Sequence, residues 1–215
     1  MLKPRVVMLG SFYRGFYLLN ELLMGEISSQ IELVGVATDL PENSFISADK
    51  RVWQYSHTQY EEEMVEKLAL QNNLPVFKAR VNSDEFYSIF EEEWKPDLCL
   101  MATFGQRIGK RLINYPQMGF YNLHPCMDDQ WPSKYVGGNP FHELMRDKKT
   151  YTQVAFHEID ENFDTGRLIK LSDKIAIPEE TSVVDMHKIT SFAAAKLACN
   201  ETLKIIQNIR EESKV

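Results

Sequence analysis

Short apolar runs and stretches with helical spacing alternate along the first forty residues. The segment from Arg5 to Leu9 is almost entirely apolar and ends at Gly10, which is typical of a strand buried on both faces of a parallel sheet. Apolar residues then recur at helical spacing from Phe16 to Leu23, and a second apolar run covers residues 31–37. This order predicts a β-α-β unit at the start of the chain.

The same alternation continues to about residue 124. Residues 38–60 have no clear period, so we expect a long loop there with one turn of helix at 52–55. The pattern beyond this loop predicts helices at 61–71, 84–93 and 110–113 and strands at 76–77, 98–101 and 119–123. Alternating strands and helices favour an α/β fold: a doubly wound, mostly parallel sheet with helices on both faces. Ligands of such sheets bind beyond the carboxyl ends of the strands.

The last third of the chain follows a polar segment, rich in Pro and Gly, at 125–140. Its pattern predicts a helix at 141–146, a strand at 151–159, a strand pair within 167–177 and a long amphipathic helix at 182–209. Ser182 and Asp185 are expected to cap this helix. Its apolar side is expected to pack on the sheet or to form a homodimer interface, and is defined by Met186, Ile189, Ala193, Leu197, Ile205 and Ile209.

Length, charge and cysteine content narrow the class of protein. A chain of 215 residues is expected to form a single domain, 1–215. The 24 Lys and Arg against 31 Asp and Glu give a net charge of −7, which disfavours nucleic acid and anionic membranes and favours a small-molecule partner. The pattern shows neither a secretory signal nor a run long enough to span a membrane, so we expect a cytoplasmic protein. Three dispersed cysteines fit a reducing compartment.

The turn between the first strand and the first helix is a candidate anion site. Free backbone N–H groups and the helix dipole attract anions at this position, and Ser11 and Arg14 lie in it. The turn matches neither Gly-x-Gly-x-x-Gly nor the P-loop, since Phe12 and the Phe16-Tyr17 pair replace the required residues. A tight turn with no ligand is an equally good interpretation.

The strongest chemical signal is the sequence Tyr-Asn-Leu-His-Pro at 121–125. Residues two apart in a strand point to the same face, so Asn122 and His124 should project together into the ligand crevice. An amide N–H can stabilise a developing oxyanion, and an imidazole can transfer protons, which together suit acyl transfer. Asp164, in a turn between predicted strands, is the candidate carboxylate that orients the base. A buried, satisfied histidine and an ordinary turn aspartate are the bland alternatives.

Other clusters are weaker candidates. Cys126 follows His124 closely and would be a nucleophile only if its pKa were lowered, which defines a hydrolase or acyltransferase as an alternative class. The pair His142-Glu143 lacks the second histidine of a zinc-protease motif, so no metal site is predicted. The acidic triplets at 61–63 and 91–93 are expected on solvated helix faces.

Four blocks in this order resemble the folate-dependent formyltransferase family, the catalytic domain shared by glycinamide-ribonucleotide, methionyl-tRNA and sugar-nucleotide N-formyltransferases. These blocks are Lys-Pro-Asp-Leu at 95–98 running to Phe-Gly at 104–105, Asn-Leu-His-Pro at 122–125, Lys-Tyr-Val-Gly at 134–137 and Asp-Thr-Gly at 164–166. The family has a Pro-Asp strand before its folate loop, then Asn-x-His-Pro, Tyr-Arg-Gly and Asp-x-Gly. The resemblance in order and spacing covers about residues 95–177.

The resemblance implies an enzyme that moves a formyl group from 10-formyltetrahydrofolate to an amine, on a Rossmann-like fold. Asn122 would hold the formyl oxygen, His124 would act as acid and base, and Asp164 would orient His124 or help to deprotonate the amine. The pterin pocket would be formed by a loop and a turn, from which we expect contacts by Thr103, Phe104, Gly105, Ile108 and Asp160.

Departures from the family leave the acceptor open. The chain lacks the Gly-x-Gly-Ser-Asn phosphate loop of the glycinamide-ribonucleotide enzymes and the basic C-terminal domain of the methionyl-tRNA enzymes, which disfavours both substrates. The segment 126–133 is longer than its family counterpart, and Val136 replaces the family arginine. A nucleotide-linked amino sugar is the leading expectation, with Ser11, Arg14, Trp131 and Tyr135 as acceptor contacts and Trp131 stacking on a base or sugar.

Two further alternatives remain at this point. Asp128 and Asp129 would suit a cationic acceptor such as hydroxyornithine, unless they form an ordinary solvent-exposed loop. A non-catalytic folate-binding module with the same fold is the other class, although the presence of Asn122, His124 and Asp164 argues against it.

Overall fold

The computed structural model describes residues 3–47, 51–125, 130–135, 137, 139–162 and 164–212. Strands and helices alternate through the first two thirds of the chain, as the apolar pattern predicts. The strands are β1 Arg5–Gly10, β2 Glu32–Ala37, β3 Val76–Phe77, β4 Leu98–Ala102, β5 Phe120–His124, β6 Tyr151–Thr152, β7 Ala155–Glu158, β8 Leu168–Leu171 and β9 Ile175–Ala176. The helices are α1 Phe12–Met24, α2 Gln59–Gln71, α3 Asp84–Ser88, α4 Lys110–Ile113, α5 Pro140–Arg146 and α6 Val183–Glu212.

Seven strands form one sheet in the order β3-β2-β1-β4-β5-β7-β8. The first five of these pair in parallel, whereas β7 and β8 pair antiparallel at one side. β6 and β9 form a separate antiparallel pair. The chain order reverses direction around β1 and β4, which is the switch point where a doubly wound sheet opens a ligand crevice. The predicted α/β fold with a mostly parallel sheet is confirmed.

Each face of the sheet has its own apolar core because side chains alternate along the buried strands. On one face, Val6 and Met8 of β1 pack with α1, α2 and α6. On the other face, Val7 and Leu9 pack with the aromatic residues of the α3 region and with Ile108. The two cores matter for the site because the crevice lies between them, at the carboxyl ends of β1, β4 and β5.

Several element boundaries differ from the sequence prediction for local reasons. α2 begins at Gln59, two residues before the predicted start, because Thr58 and Glu61 form a capping box. The helix after Asp84 continues as a π-helix from Ile89 to Trp94. The predicted strand 151–159 is divided into β6 and β7, since the Val154 N–H donates to Ser172 Oγ at 2.8 Å and the Thr152 hydroxyl donates to the Pro125 carbonyl.

The long C-terminal helix is correctly predicted, and Ser182 and Asp185 exchange the expected capping bonds. Its buried face, however, is rotated by about one position from the predicted one. Ile189 and Ile209 are exposed, whereas the polar residues His187 and Thr190 are buried. A homodimer through the exposed side of α6 stays a prediction. Within the described ranges, the helices lack the length and apolarity that a bilayer span requires.

Candidate active site

Asn122 and His124 lie at the end of β5, on the same face of the strand, as the period of two predicts. Both side chains are more than nine-tenths buried and line one cavity. The antiparallel register between β5 and β7 places His157 directly opposite Asn122. The neighbouring strand β4 aligns Met101 with Asn122 on the other side. Three polar side chains are therefore fixed by strand backbone rather than by loops.

The imidazole of His124 is held at both nitrogens. Its Nε2 lies 2.5 Å from the Tyr135 carbonyl oxygen and its Nδ1 lies 3.3 Å from Oδ2 of Asp164. A carbonyl oxygen only accepts hydrogen bonds, so Nε2 carries a hydrogen in the neutral ring. Nδ1, facing the carboxylate, is therefore the atom that gains or loses a proton.

Asp164 is the residue that connects the cluster. Its Oδ1 accepts from Asn122 Nδ2 at 3.2 Å and lies 3.6 Å from His157 Nε2, while Oδ2 faces His124 and accepts from the Gly137 N–H at 3.4 Å. The residue has a left-handed backbone with φ of 52°, which Asp adopts more readily than most residues do. The turn places one carboxylate between two imidazoles and an amide.

Burial and charge shift the two acid–base groups in the same direction. Burial lowers the pKa of His124 below its ordinary value of 6.5, and this outweighs the opposing effects of Asp164 and the Tyr135 carbonyl. Burial alone would raise the pKa of the Asp164 carboxyl, but the hydrogen bond with His157 and the charges of His124 and His157 lower it overall. At neutral pH the cluster therefore combines a neutral His124 imidazole with an ionised carboxylate.

His157 belongs to this cluster although the sequence did not reveal it. Its Nδ1 donates to the Glu158 carbonyl at 2.7 Å, so the neutral ring presents Nε2 as an acceptor to Asn122 Nδ2, 3.3 Å away. The strand period shows only that His157 alternates with its neighbours. Its position opposite Asn122 depends on a strand pairing across 35 residues, which no local pattern reports.

A cavity of about 390 Å³ opens beside the cluster. Six of the predicted binding residues line it: Arg14, Thr103, Phe104, Gly105, Ile108 and Asp160. Asp160 also shapes the adjoining turn, since it accepts from the Asn162 N–H and from the Thr165 hydroxyl. Thr103 has a second role, because its hydroxyl accepts from the Arg14 guanidinium at 2.9 Å.

The other three predicted acceptor contacts are engaged by the protein itself. Ser11 Oγ accepts from the Asp39 N–H at 2.8 Å, and the Tyr135 hydroxyl donates to Asp147 at 3.0 Å. The Trp131 indole donates to the Gly166 carbonyl at 2.8 Å and packs against the His157 ring with centroids 4.7 Å apart. The side chains found to line the cavity, within the described part of the chain, do not include these three. Trp131 thus packs on a member of the cluster instead of presenting its face to a base or sugar.

Some of the sequence hypotheses fall on residues outside the described ranges. Cys126, Asp128, Asp129 and Val136 are among them, so the thiol nucleophile and the acidic acceptor loop gain no structural description. Of the described cysteines, Cys99 and Cys199 are buried, and burial raises the pKa of both thiols. The described side chains hold no group of three or more His, Cys, Asp or Glu arranged for a metal ion.

The cavity connects the two faces of the sheet. Phe104, Ile108 and Ile159 belong to the core on one face and give that end an apolar lining. Arg14 from α1 and His187 from α6 line the cavity from the opposite face. An apolar end with few polar side chains suits a flat heterocycle held by backbone polar groups. The Asn–His–Asp cluster lies between the two ends.

The fold and the cluster together define a Rossmann-like α/β protein with a buried Asn–His–Asp centre at the carboxyl edge of its sheet. Residues 26–200 match the formyl transferase family, and the chain belongs to that family.

Curated relatives and solved structures carry similar names. A methionyl-tRNA formyltransferase from Staphylococcus epidermidis is 30% identical over 149 residues, which is 68% of this chain and 46% of the relative. One from Caldicellulosiruptor saccharolyticus is 29% identical over 147 residues, 67% of this chain and 45% of the relative. The chain thus spans about half the length of these relatives.

Among solved structures, a phosphoribosylglycinamide formyltransferase from Anaplasma phagocytophilum has a TM-score of 0.71 at 16% identity, covering 96% of this chain and 89% of that chain. A formyltetrahydrofolate deformylase from Pseudomonas syringae pv. tomato has a TM-score of 0.64 at 16% identity, covering 91% of this chain and 60% of that chain. These similarities show the shared fold.

Proposed function

We propose that this protein transfers a formyl group from 10-formyltetrahydrofolate to the amine of an acceptor molecule. One observation carries the proposal: the amide of Asn122, the imidazole of His124 and the carboxylate of Asp164 form a single hydrogen-bonded cluster beside a cavity with an apolar end. Membership in the formyl transferase family supports the same chemistry.

The residues present fit the formyl donor. Phe104, Ile108 and Ile159 offer an apolar surface for a pterin ring, and the backbone of residues 103–108 supplies polar groups at its edge. A side chain at Gly105 would come within 2.6 Å of the Asp39 carboxylate, so only glycine lets this loop pack against the end of β2. When bound, the donor supplies an electrophilic formyl carbon.

The cluster's roles follow from its atoms. Asn122 Nδ2 donates to the formyl oxygen as negative charge develops there, in exchange for one of its present bonds to His157 and Asp164. The attacking amine loses a proton as it forms the new bond, and Nδ1 of His124 is placed to take that proton. The Asp164 carboxylate stabilises the imidazolium that results. The same proton then protonates the departing nitrogen of the donor.

The acceptor we propose first is a nucleotide-linked amino sugar. The net charge of −7 supports a small acceptor over a polyanionic tRNA. Methionyl-tRNA is the second candidate, because the curated relatives are methionyl-tRNA formyltransferases. Hydroxyornithine depends on Asp128 and Asp129, and glycinamide ribonucleotide is supported by the names of solved structures alone.

The decisive experiment measures donor binding and transfer separately. Purified protein is titrated with a stable 10-formyltetrahydrofolate analogue, and release of tetrahydrofolate is then followed with each of the four acceptors. We expect analogue binding and transfer to the amino sugar. His124→Ala should abolish transfer but leave analogue binding intact. The matched control is His142→Ala, the same change at an exposed histidine on α5.

Each outcome has a definite meaning. Absence of analogue binding would overturn the proposed function. Analogue binding without transfer to any acceptor would support the non-catalytic folate-binding module instead. Transfer that persists in His124→Ala would remove His124 from the mechanism. Transfer to methionyl-tRNA alone would replace the amino sugar with the second candidate.

A further inference from the structure

The end of the cavity opposite the apolar lining is built from groups that the formyl donor does not need. Arg14 reaches it from α1, His187 from α6, and Val52 and Pro140 complete the wall. Because the apolar end lies on the other face of the sheet, a molecule at this end approaches the Asn–His–Asp cluster from the side opposite the donor. This is the position from which an acceptor amine must reach the formyl carbon.

Arg14 places a fixed positive charge in this wall. Its side chain is 1% exposed, and its guanidinium donates to the Thr103 hydroxyl at 2.9 Å and to the Thr190 hydroxyl at 2.8 Å. Both hydroxyls are neutral, so they orient the guanidinium but leave its charge in place. Thr103 itself has a left-handed backbone with φ of 53°, a strained conformation for a β-branched residue. The cation is therefore held rigidly beside the cavity.

His187 lies next to this cation and is 8% exposed. Its ring packs edge-on against Phe12 and Phe141, and the Arg14 guanidinium lies 5.7 Å from the centre of the same Phe141 ring. Its Nδ1 has no hydrogen-bonding partner among the described residues. A buried polar group without a partner costs about 1–3 kcal/mol and calls for an explanation. Burial and the charge of Arg14 lower its pKa well below 6.5, so the ring is neutral.

We propose that Arg14 and His187 form an acceptor-binding subsite for an oxyanion, a phosphate or a carboxylate, carried by the molecule that is formylated. The inference rests on the proposed function and specifies the class of its acceptor. Arg14 supplies the charge and the planar donor fork that such groups match. His187 supplies a neutral hydrogen-bonding group that adds no second charge.

The same geometry excludes a cationic acceptor body. A second positive charge next to a buried guanidinium is repelled strongly, because the surrounding aromatic rings provide little screening. The reacting amine is a separate matter, since it lies at the Asp164 carboxylate and attacks as the neutral base. An acceptor with an oxyanion at one end and an amine at the other therefore fits both charges of the cavity.

The test uses simple anions on the full chain. Protein labelled with ¹⁵N is titrated with sodium phosphate and, separately, with sodium acetate, while sodium chloride keeps the ionic strength constant. The ring nitrogens of His187, assigned with His187→Phe, and the thermal midpoint are recorded. We expect at least one anion to shift the His187 signals saturably and to raise the midpoint above that in chloride. Propylammonium chloride should do neither.

Variants locate the anion. Arg14→Met should weaken anion binding about tenfold or more, the cost of losing a charged hydrogen bond. Arg146→Met, the matched change at an exposed arginine, should bind as the wild type does. If Arg14→Met fails to fold, Arg14→Lys keeps the charge but loses the fork and should bind several-fold more weakly.

The outcomes separate this inference from the proposed function. Saturation by phosphate alone indicates a phosphorylated acceptor and by acetate alone a carboxylated one, and both support the subsite. No saturable His187 shift with either anion, equal anion binding in Arg14→Met, or binding of propylammonium would overturn it. If the folate analogue binds while the anions do not, the subsite fails and the proposed function stands. If the anions bind and the analogue does not, the reverse holds.

Discussion

Oδ2 of Asp164 lies 3.3 Å from Nδ1 of His124, at the one imidazole nitrogen that is not committed to a backbone carbonyl. The carboxylate therefore favours the protonated ring, while burial disfavours it, and burial prevails. The balance keeps His124 neutral at physiological pH, yet gives the proton that it accepts an immediate partner. This is the behaviour that a general base needs.

Removing the carboxylate should move this balance further. We expect Asp164→Asn to lower the pKa of His124 below its wild-type value, because the interaction that favours the imidazolium is lost and the burial remains. Transfer should fall about 100-fold or more. The pKa is measured by ¹⁵N NMR of the ring. Asp160→Asn changes a carboxylate of the same turn whose hydrogen bonds go to Asn162 and Thr165, so it should leave the His124 pKa unchanged. An unchanged pKa in Asp164→Asn would contradict the assignment.

Asn122 is expected to act on the reacting oxygen and not on donor affinity. Asn122→Leu keeps a similar volume but removes the N–H donor, so kcat should fall about 100- to 1000-fold, as for the loss of one oxyanion donor. The dissociation constant of the folate analogue should change little, because the apolar end of the cavity is untouched. Steady-state kinetics and analogue titration give the two quantities. An equal loss in both would show that Asn122 serves binding instead.

The sequence predicts those features that depend on neighbouring residues. Asn122 and His124 share a face because they are two residues apart in one strand, and the strand was recognisable from its apolar run. The glycine-ended strand β1 and the cap at Ser182 are local in the same sense. These predictions are confirmed because the distance between pattern and structure is short.

Features that depend on packing between distant segments were not predictable. His157 joins the site through a strand register, and Trp131 turns to the Asp164 turn through a bond to Gly166. The face of α6 was misplaced by one position, since Arg14 of α1 bonds Thr190 and so draws a polar line of α6 inward. An apolar pattern favours Ile189 at that position and carries no information about the partner across the helix pair.

Trp131 is expected to hold the Asp164 turn in place. Its indole N–H bonds the Gly166 carbonyl and its ring covers His157, so Trp131→Phe should keep the packing and lose one neutral hydrogen bond. Such a bond contributes about 1 kcal/mol, which predicts a several-fold lower kcat and a larger loss for Trp131→Ala. Trp53→Phe is the matched control, because Trp53 packs on Phe12 instead. Wild-type kcat in both Trp131 variants would dismiss this role.

The buried His187 should make the stability of the protein depend on pH below neutrality. Its pKa in the folded protein lies well below the ordinary value of 6.5 because burial and then the charge of Arg14 disfavour the imidazolium. As the pH falls below about 6.5, the unfolded chain takes up a proton that the folded chain refuses, so the free energy of unfolding decreases by up to about 1.4 kcal/mol per pH unit. His187→Phe abolishes this contribution and keeps an aromatic ring against Phe12 and Phe141. Denaturant unfolding at pH 7.5 and 5.5 measures the effect: the wild type should lose more stability between the two than His187→Phe does. His124 titrates in the same direction in both proteins, so the difference isolates His187. Equal losses would mean that the His187 ring reaches solvent and accepts a proton in the folded state.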